Sequence, residues 1–316
     1  MSLDIDCLLD EKHNVAFPAK SNWRGWLELT RLHKSIMGNT LMFWPCVWGL
    51  TMAAYAVTYP PHQFVIQTIM FCIGSTLLHS AACVINDICD IEFDRKVERC
   101  KTRPLPAGIV SVFSAWVLLL LLVIPAMAML LLTNTKAASV GLIGVFPLHA
   151  LYPLMKRWTY WPQAWLGLAM NWGFPVAWIA VTGDIRADIV WVFFLGTICW
   201  TIVYDTIYAC QDRKDDVEAG VKSTALLFGD WVRPILMAFA TVFIVCLVFA
   251  GIRNNQGAGY FVISCGGATL HFVWQFVSWN PDIPADGAHK FNSNGATGYI
   301  IWAGMLCDYC FKFSTP

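Results

Sequence analysis

Residues 64–94 read FVIQTIMFCIGSTLLHSAACVINDICDIEFD. Positions 64–85 contain no Asp, Glu, Lys or Arg, and the acids arrive only afterwards, as Asp87, Asp90, Glu92 and Asp94. A helix needs about 20 mostly apolar residues to cross the hydrocarbon layer of a membrane. The run is continuous rather than alternating, and backbone in lipid must satisfy itself as helix or closed barrel. The stretch therefore reads as a membrane-spanning helix that ends in carboxylates.

The rest of the 316-residue chain extends this pattern. Apolar residues make up 57% of it and charged residues 13%, with a mean hydropathy of +0.56; a soluble domain carries roughly 25% charge. Similar runs fall near 36–58, 110–132, 137–154, 162–181, 188–209, 232–251, 258–279 and 295–312. The sequence thus predicts an all-α polytopic membrane protein with about nine transmembrane helices in a lipid bilayer. In that arrangement 17 of the 21 Lys and Arg lie on the side of the N-terminus, and only Lys136, Arg186, Arg253 and Lys312 lie opposite. The positive-inside rule then places the N-terminus in the cytosol.

Residues 1–35 read as a polar segment ahead of a single transmembrane domain, 36–312, and its part from Trp23 to Ile36 as an interfacial amphipathic helix. Asp4, Asp6, Asp10 and Glu11 come early in it, which matches neither a secretory signal nor an Arg-rich transit peptide. An endoplasmic-reticulum-type membrane is the expected location. Acids and bases balance at 21 each, so nucleic acid is not expected as a partner. Most of the twelve Cys lie in apolar runs, where a thiol acts as a small hydrophobe. Cys307 and Cys310 form a CxxC with no second pair and read as packing residues.

Ten of the 21 acids fall in two windows, 81–108 (AACVINDICDIEFDRKVERCKTRPLPAG) and 204–225 (YDTIYACQDRKDDVEAGVKSTA). On a helix, Asn86, Asp87, Asp90 and Asp94 share a stripe about 100° wide, and Asp205, Tyr208, Asp212 and Asp216 one of about 80°. Either stripe alone would pass as a solvated helix end. Two at the same depth, with oxygen donors and neither His nor Cys, suit Mg²⁺ held by carboxylates together with substrate phosphates. Lys101, Arg103, Lys156, Arg157, Lys214 and Lys222 lie on that same side and can bind an anion.

With these windows, YPLMKRWTYWPQ (152–163) and RLHKSIMGNTLMFWPCVWG (31–49), the chain resembles the UbiA-type intramembrane prenyltransferases. The likeness covers about residues 27 to 310 and is strongest to the 4-hydroxybenzoate polyprenyltransferase-like branch and its fungal meroterpenoid relatives. Ser35 stands where that family commonly has Pro. The resemblance implies a helical bundle around a cavity open to lipid, and transfer of an isoprenoid from its diphosphate to an aromatic ring. It implies Asn86, Asp90, Asp94, Asp212 and Asp216 as Mg²⁺ ligands, with Asp87 in the same motif. The catalytic set expected is Asp90, Asp94, Lys156, Asp205, Asp212 and Asp216. Arg103, Tyr152, Lys156, Tyr208 and Lys222 are assigned to the diphosphate, and Arg31, Arg157 and Asp205 to the acceptor. Mg²⁺ and bases stabilise the leaving charge, the cavity shields an allylic cation from water, and the ring attacks.

The expected substrates are an isoprenyl diphosphate, farnesyl favoured, and a phenolic acceptor of meroterpenoid biosynthesis. The alternative is the 4-hydroxybenzoate polyprenyltransferase of ubiquinone biosynthesis. A terpene cyclase would need no acceptor-binding strings, and a transporter would spread its charges across the bilayer. His149 and His271 stand alone in apolar runs and read as satisfied core residues. Asn171 reads as a cavity-lining group or a bond to a neighbouring helix.

Overall fold

The computed structural model describes residues 22–33, 37–97 and 100–314. The acids at positions 4–11, Ser35 and the side chain of Lys214 lie outside the described residues. Among those described, no strand occurs. A short helix α1 (Asn22–Leu29) is followed by α2 (Met37–Val57), α3 (Pro61–Asp94), α4 (Val112–Leu131), α5 (Thr135–Trp158), α6 (Pro162–Thr182) and α7 (Ala187–Asp212). Then come the short α8 (Arg213–Ala219), α9 (Thr224–Arg253), α10 (Tyr260–Ser278) and α11 (Pro284–Ser314).

Among the described residues, eight helices are long and apolar enough to cross a membrane: α2 to α7, α9 and α10. The ninth rod, α11, has 31 residues, but it buries Lys290, Asn294, Thr297 and Asp308 in the bundle. It starts at Pro284, well before the apolar run at 295, because its first turns pack polar groups inward. The helix α1 docks on the bundle through buried Leu29 and a Trp26 Nε1 bond to Ser114 Oγ (2.8 Å).

Local chemistry sets the ends of these rods. Pro61 and Pro162 open α3 and α6, where a missing N–H leaves no bond unmade. Ser111 and Asn134 cap α4 and α5 by accepting from the N–H groups of Ser114 (3.1 Å) and Ala137 (2.9 Å). Gly183, at φ +75°, ends α6 in the left-handed region that glycine adopts without strain. The rod α5 is interrupted by a π-helical turn at Gly144–His149.

The central rods are α2 and α7, with 72% and 67% of their apolar stretches buried, against 22% and 28% for α3 and α4. Their contact is aromatic. Trp44 and Trp48 of α2 share a core with Phe174, Phe193, Trp200, Tyr204 and Phe243, and the Trp48 and Trp200 rings lie 5.1 Å apart. The rods α2 and α11 approach so closely that a Cβ on Gly298 would come within 2.0 Å of the Trp44 indole nitrogen. On the outside, α3 and α4 expose Ile66, Ile69, Ile73, Leu120, Leu121 and Ile124, a surface suited to lipid.

Consecutive rods run antiparallel. The C-terminal ends of α3, α5 and α7 therefore meet the N-terminal ends of α6 and α9 at one end of the bundle. There the N–H of Lys222 donates to the carbonyl of Lys156 (2.8 Å), and the N–H of Thr224 to Gln163 Oε1 (3.0 Å). Opposite, Asn134 ties α5 to the Ile179 carbonyl (2.7 Å), and Tyr309 OH donates to the Tyr59 carbonyl (2.6 Å).

Candidate active site

The helix α3 has 34 residues, about 51 Å at 1.5 Å per residue, whereas the hydrocarbon layer is about 30 Å thick. Its last turns carry the first acidic stripe, and they are enclosed by other chain segments. Asp87 and Asp90 are fully buried and Asp94 is 6% exposed. A buried carboxylate must find a counter-charge, and each of these does. Arg31 Nη2 bonds both oxygens of Asp87 (2.7 and 2.8 Å). Arg103 Nη1 bonds Asp94 Oδ2 (2.8 Å) and reaches Asp87 Oδ1 at 3.5 Å. Lys156 donates to Asp90 Oδ2, and Arg157 contacts Asp90 Oδ1 (3.3 Å) and the Cys89 carbonyl (2.7 Å).

These four bases come from three places: the turn after α1, the loop after α3 and the last turn of α5. Arg31 holds φ +61°, a left-handed conformation uncommon outside glycine. The Arg157 guanidinium also lies 4.7 Å from the centre of the Phe93 ring. Asn86 is half-buried and makes no side-chain hydrogen bond among the described residues.

The second stripe comes from α7 and α8. Asp205, Tyr208, Asp212 and Asp216 are all partly buried. Tyr208 packs its ring 4.6 Å from Phe291. Asp205 has no ion pair or hydrogen bond among the described residues. Tyr152 lies within electrostatic reach of both Asp205 and Asp90, so it stands between the stripes. Lys222 closes the same end, its Nζ 3.4 Å from the Trp158 carbonyl and 5.6 Å from the centre of the Tyr160 ring.

The two stripes thus share one end of the bundle, as their spacing predicts, but the carboxylates stand apart. Among the described residues no three of His, Cys, Asp or Glu converge as a metal cage. Bases pair with the acids of the first stripe instead. Arg103 and Lys156, expected on a diphosphate, grip Asp94 and Asp90, while Arg31 and Arg157, expected on an acceptor, grip Asp87 and Asp90. Both oxygens of Asp87 face Arg31. The remaining donors, Asn86, Asp90, Asp94, Asp212 and Asp216, are all oxygen and suit a hard cation such as Mg²⁺.

An apolar cavity, as the resemblance implies, lies among α2 to α6. Met70, Phe71, Leu78, Leu130, Trp172 and His149 are among the residues of its wall. Asn171 does not reach it: buried between α6 and α7, it donates to Thr201 Oγ1 (2.8 Å) and to the Gly167 carbonyl (2.7 Å). His271 has Gln275 as partner (3.2 Å), as a core histidine should. His149 departs from expectation, because its Nε2 is buried without any hydrogen-bond partner among the described residues.

Residues 42–298 match the model of the UbiA prenyltransferase family. The chain is 46% identical over 292 residues to the UbiA prenyltransferase claS of Ampulloclitocybe clavipes, covering 92% of each. It is 39% identical to the mitochondrial 4-hydroxybenzoate polyprenyltransferase of Arabidopsis thaliana, covering 92% of this chain and 70% of that one. The fold is shared with the apo UbiA homologue of Aeropyrum pernix K1 (TM-score 0.73, 22% identity, 86% of this chain and 98% of that one). It is also shared with the Archaeoglobus fulgidus homologue solved with GPP and Mg²⁺ (TM-score 0.65, 16% identity, 90% and 99%). The chain belongs to the UbiA prenyltransferase family and is an aromatic prenyltransferase of the membrane.

Proposed function

We propose that this enzyme transfers a farnesyl group from farnesyl diphosphate to a phenolic or polyketide-derived acceptor in meroterpenoid biosynthesis. One observation carries the reading. Oxygen donors and bases crowd one end of the bundle, and the α5 face bearing Lys156 and Tyr152 continues through His149 into an apolar cavity. An amphiphile with an anionic head and a hydrocarbon tail fits such a junction.

Asn86, Asp90, Asp94, Asp212 and Asp216 would hold Mg²⁺, which when bound stabilises the charge of the leaving diphosphate. Arg103, Lys156 and Lys222, with Tyr152 and Tyr208, bind the diphosphate oxygens. Cleavage of the C–O bond leaves diphosphate and an allylic cation, which the cavity keeps from water. A ring carbon of the acceptor gives its electron pair to the cation, and loss of that carbon's proton restores aromaticity. Arg157 and Asp205 orient the acceptor, and Arg31 supports the site through Asp87. The cytosolic N-terminus and an endoplasmic-reticulum-type membrane belong to the same reading.

The chain is more similar to the fungal UbiA prenyltransferase, at 46% identity, than to the plant 4-hydroxybenzoate enzyme, at 39%, which supports an acceptor other than 4-hydroxybenzoate. Microsomes carrying the enzyme, given isoprenyl diphosphates from geranyl to decaprenyl crossed with phenolic acids, test it by product mass. A farnesylated phenolic acid is expected. The likeness to 4-hydroxybenzoate polyprenyltransferases supports a second reading, a place in ubiquinone synthesis. Respiration restored by the unmodified chain in yeast lacking its own enzyme, with long-tailed prenyl-hydroxybenzoate as product, would favour that second reading over the first.

A further inference from the structure

His149 is 7% exposed and lies on the cavity wall. Its Nδ1 is 2.7 Å from the carbonyl of Gly144, five residues back across the π-helical turn. A carbonyl oxygen only accepts, so Nδ1 carries the ring proton. The other nitrogen, Nε2, is then a bare lone pair, and it is buried with no partner among the described residues. Protonating it as well would create a buried cation, and the cavity wall offers no carboxylate to pair with it. The neutral ring leaves a bare hydrogen-bond acceptor in the cavity wall.

The ring is held firmly. Trp165 Nε1 donates to the Leu148 carbonyl (2.8 Å) and Trp172 Nε1 to the Val140 carbonyl (2.7 Å), so two indoles of α6 brace the turn. A Cβ on Gly144 would lie 2.5 Å from the Trp172 ring, so the turn packs directly on that indole. π-turns of this kind recur at functional sites. A bare buried acceptor is destabilising when unmatched, so a ligand that supplies a donor gains by meeting it.

Of the two substrates, only one has a donor to give. An isoprenyl chain has no O–H or N–H, and a diphosphate offers only acceptors. A phenol offers its hydroxyl. The position agrees: His149, Tyr152 and Lys156 follow at i, i+3 and i+7 on one face of α5, which sets His149 about 10 Å into the membrane from Lys156. The other unpartnered atom on the wall, Gln67 Oε1, belongs to the far end of α3, about 28 Å along the helix from Asn86. We propose that His149 Nε2 accepts the hydrogen bond of the acceptor's phenolic hydroxyl and so fixes which edge of the ring meets the allylic carbon. The deeper cavity past Met70 and Leu130 is left for the prenyl chain. The inference rests on the aromatic-acceptor reading above.

The test compares a hydroxybenzoic acid with its O-methyl ether, which keeps an electron-rich ring but has no proton to donate. The acids are 4-hydroxybenzoate and 2,4-dihydroxybenzoate, each with farnesyl diphosphate. Wild type should prefer the phenol by about tenfold in kcat/KM, the value of one buried hydrogen bond of about 1.4 kcal/mol. His149→Phe should abolish that preference, mainly through a raised KM for the phenol, with KM for the diphosphate unchanged. His149→Asn keeps a donor for Gly144 but has no atom at the Nε2 position, and should behave as His149→Phe does. His149→Gln places an amide oxygen near that position and should restore part of the preference. The ratio is internal to each variant and does not depend on how much protein folds. If wild type prenylates the phenol and His149→Asn keeps the same preference, the assignment of His149 is wrong while the enzyme reading stands. No turnover of any phenol or ether by wild type overturns both.

Discussion

Arg31 reaches across 56 residues of chain to hold both oxygens of a carboxylate that has no exposure to water. Removing one partner of a buried pair costs about 3–5 kcal/mol, because the other charge stays behind uncompensated. Arg31→Ala should therefore lower the melting temperature in detergent markedly, and Arg31→Ala with Asp87→Asn should recover part of the loss. A double variant no better than the single one would show that the pair is not coupled. Asp90→Ala and Asp212→Ala should each reduce turnover about 100-fold or more while the protein still inserts. EDTA should stop the wild-type enzyme and Mg²⁺ restart it. Full activity of both variants in EDTA would remove these residues from the site. The acidic stripes were legible because Asn86, Asp90 and Asp94 repeat at the spacing of one helix face. The pairs Arg31–Asp87 and Lys156–Asp90 were not, since nothing local to either residue encodes a partner so distant in sequence. His149 escaped for a similar reason. Its free nitrogen is defined by a carbonyl that only the π-helical turn brings within reach.

Eight of the rods followed from length and apolar content alone, because a bilayer imposes both requirements on any helix that crosses it. The ninth was legible only over 295–312. Lys290 and Asn294 hide its first turns from a hydropathy reading, since they are buried by contact with protein: Lys290 lies over the Trp274 ring (4.2 Å) and the Asn294 side chain bonds Trp200 Nε1 (2.9 Å). The close contact of α2 with α11 also has a single-residue weak point. Gly298→Ala would force a methyl group into the Trp44 indole, and overpacking of this kind costs about 1–3 kcal/mol. The expected result is a lower melting temperature and unchanged KM for both substrates, since Gly298 lies outside the site. Gly298→Ala melting with wild type would mean that Trp44 has space to move.

For the molecule as a whole, the proposed nine crossings with a cytosolic N-terminus would put the two termini on opposite sides of the membrane. Glycosylation acceptors fused to each end should be modified only at the C-terminus, in keeping with the 17 bases counted on the N-terminal side. Modification at the N-terminus alone would invert the topology, and at both ends would require an even number of crossings. The surplus length of α3 bears on how the enzyme meets its donor. Under the proposed function, a helix this much longer than the hydrocarbon is thick would let its acidic end stand outside the lipid while the apolar cavity stays within it, so that the diphosphate remains hydrated as the tail stays dissolved in lipid. The relevant substrate level is then the number of donor molecules per lipid, not per litre. Adding inert phospholipid to a fixed amount of enzyme and donor should slow the reaction in proportion to the dilution of the bilayer, although every bulk concentration is unchanged.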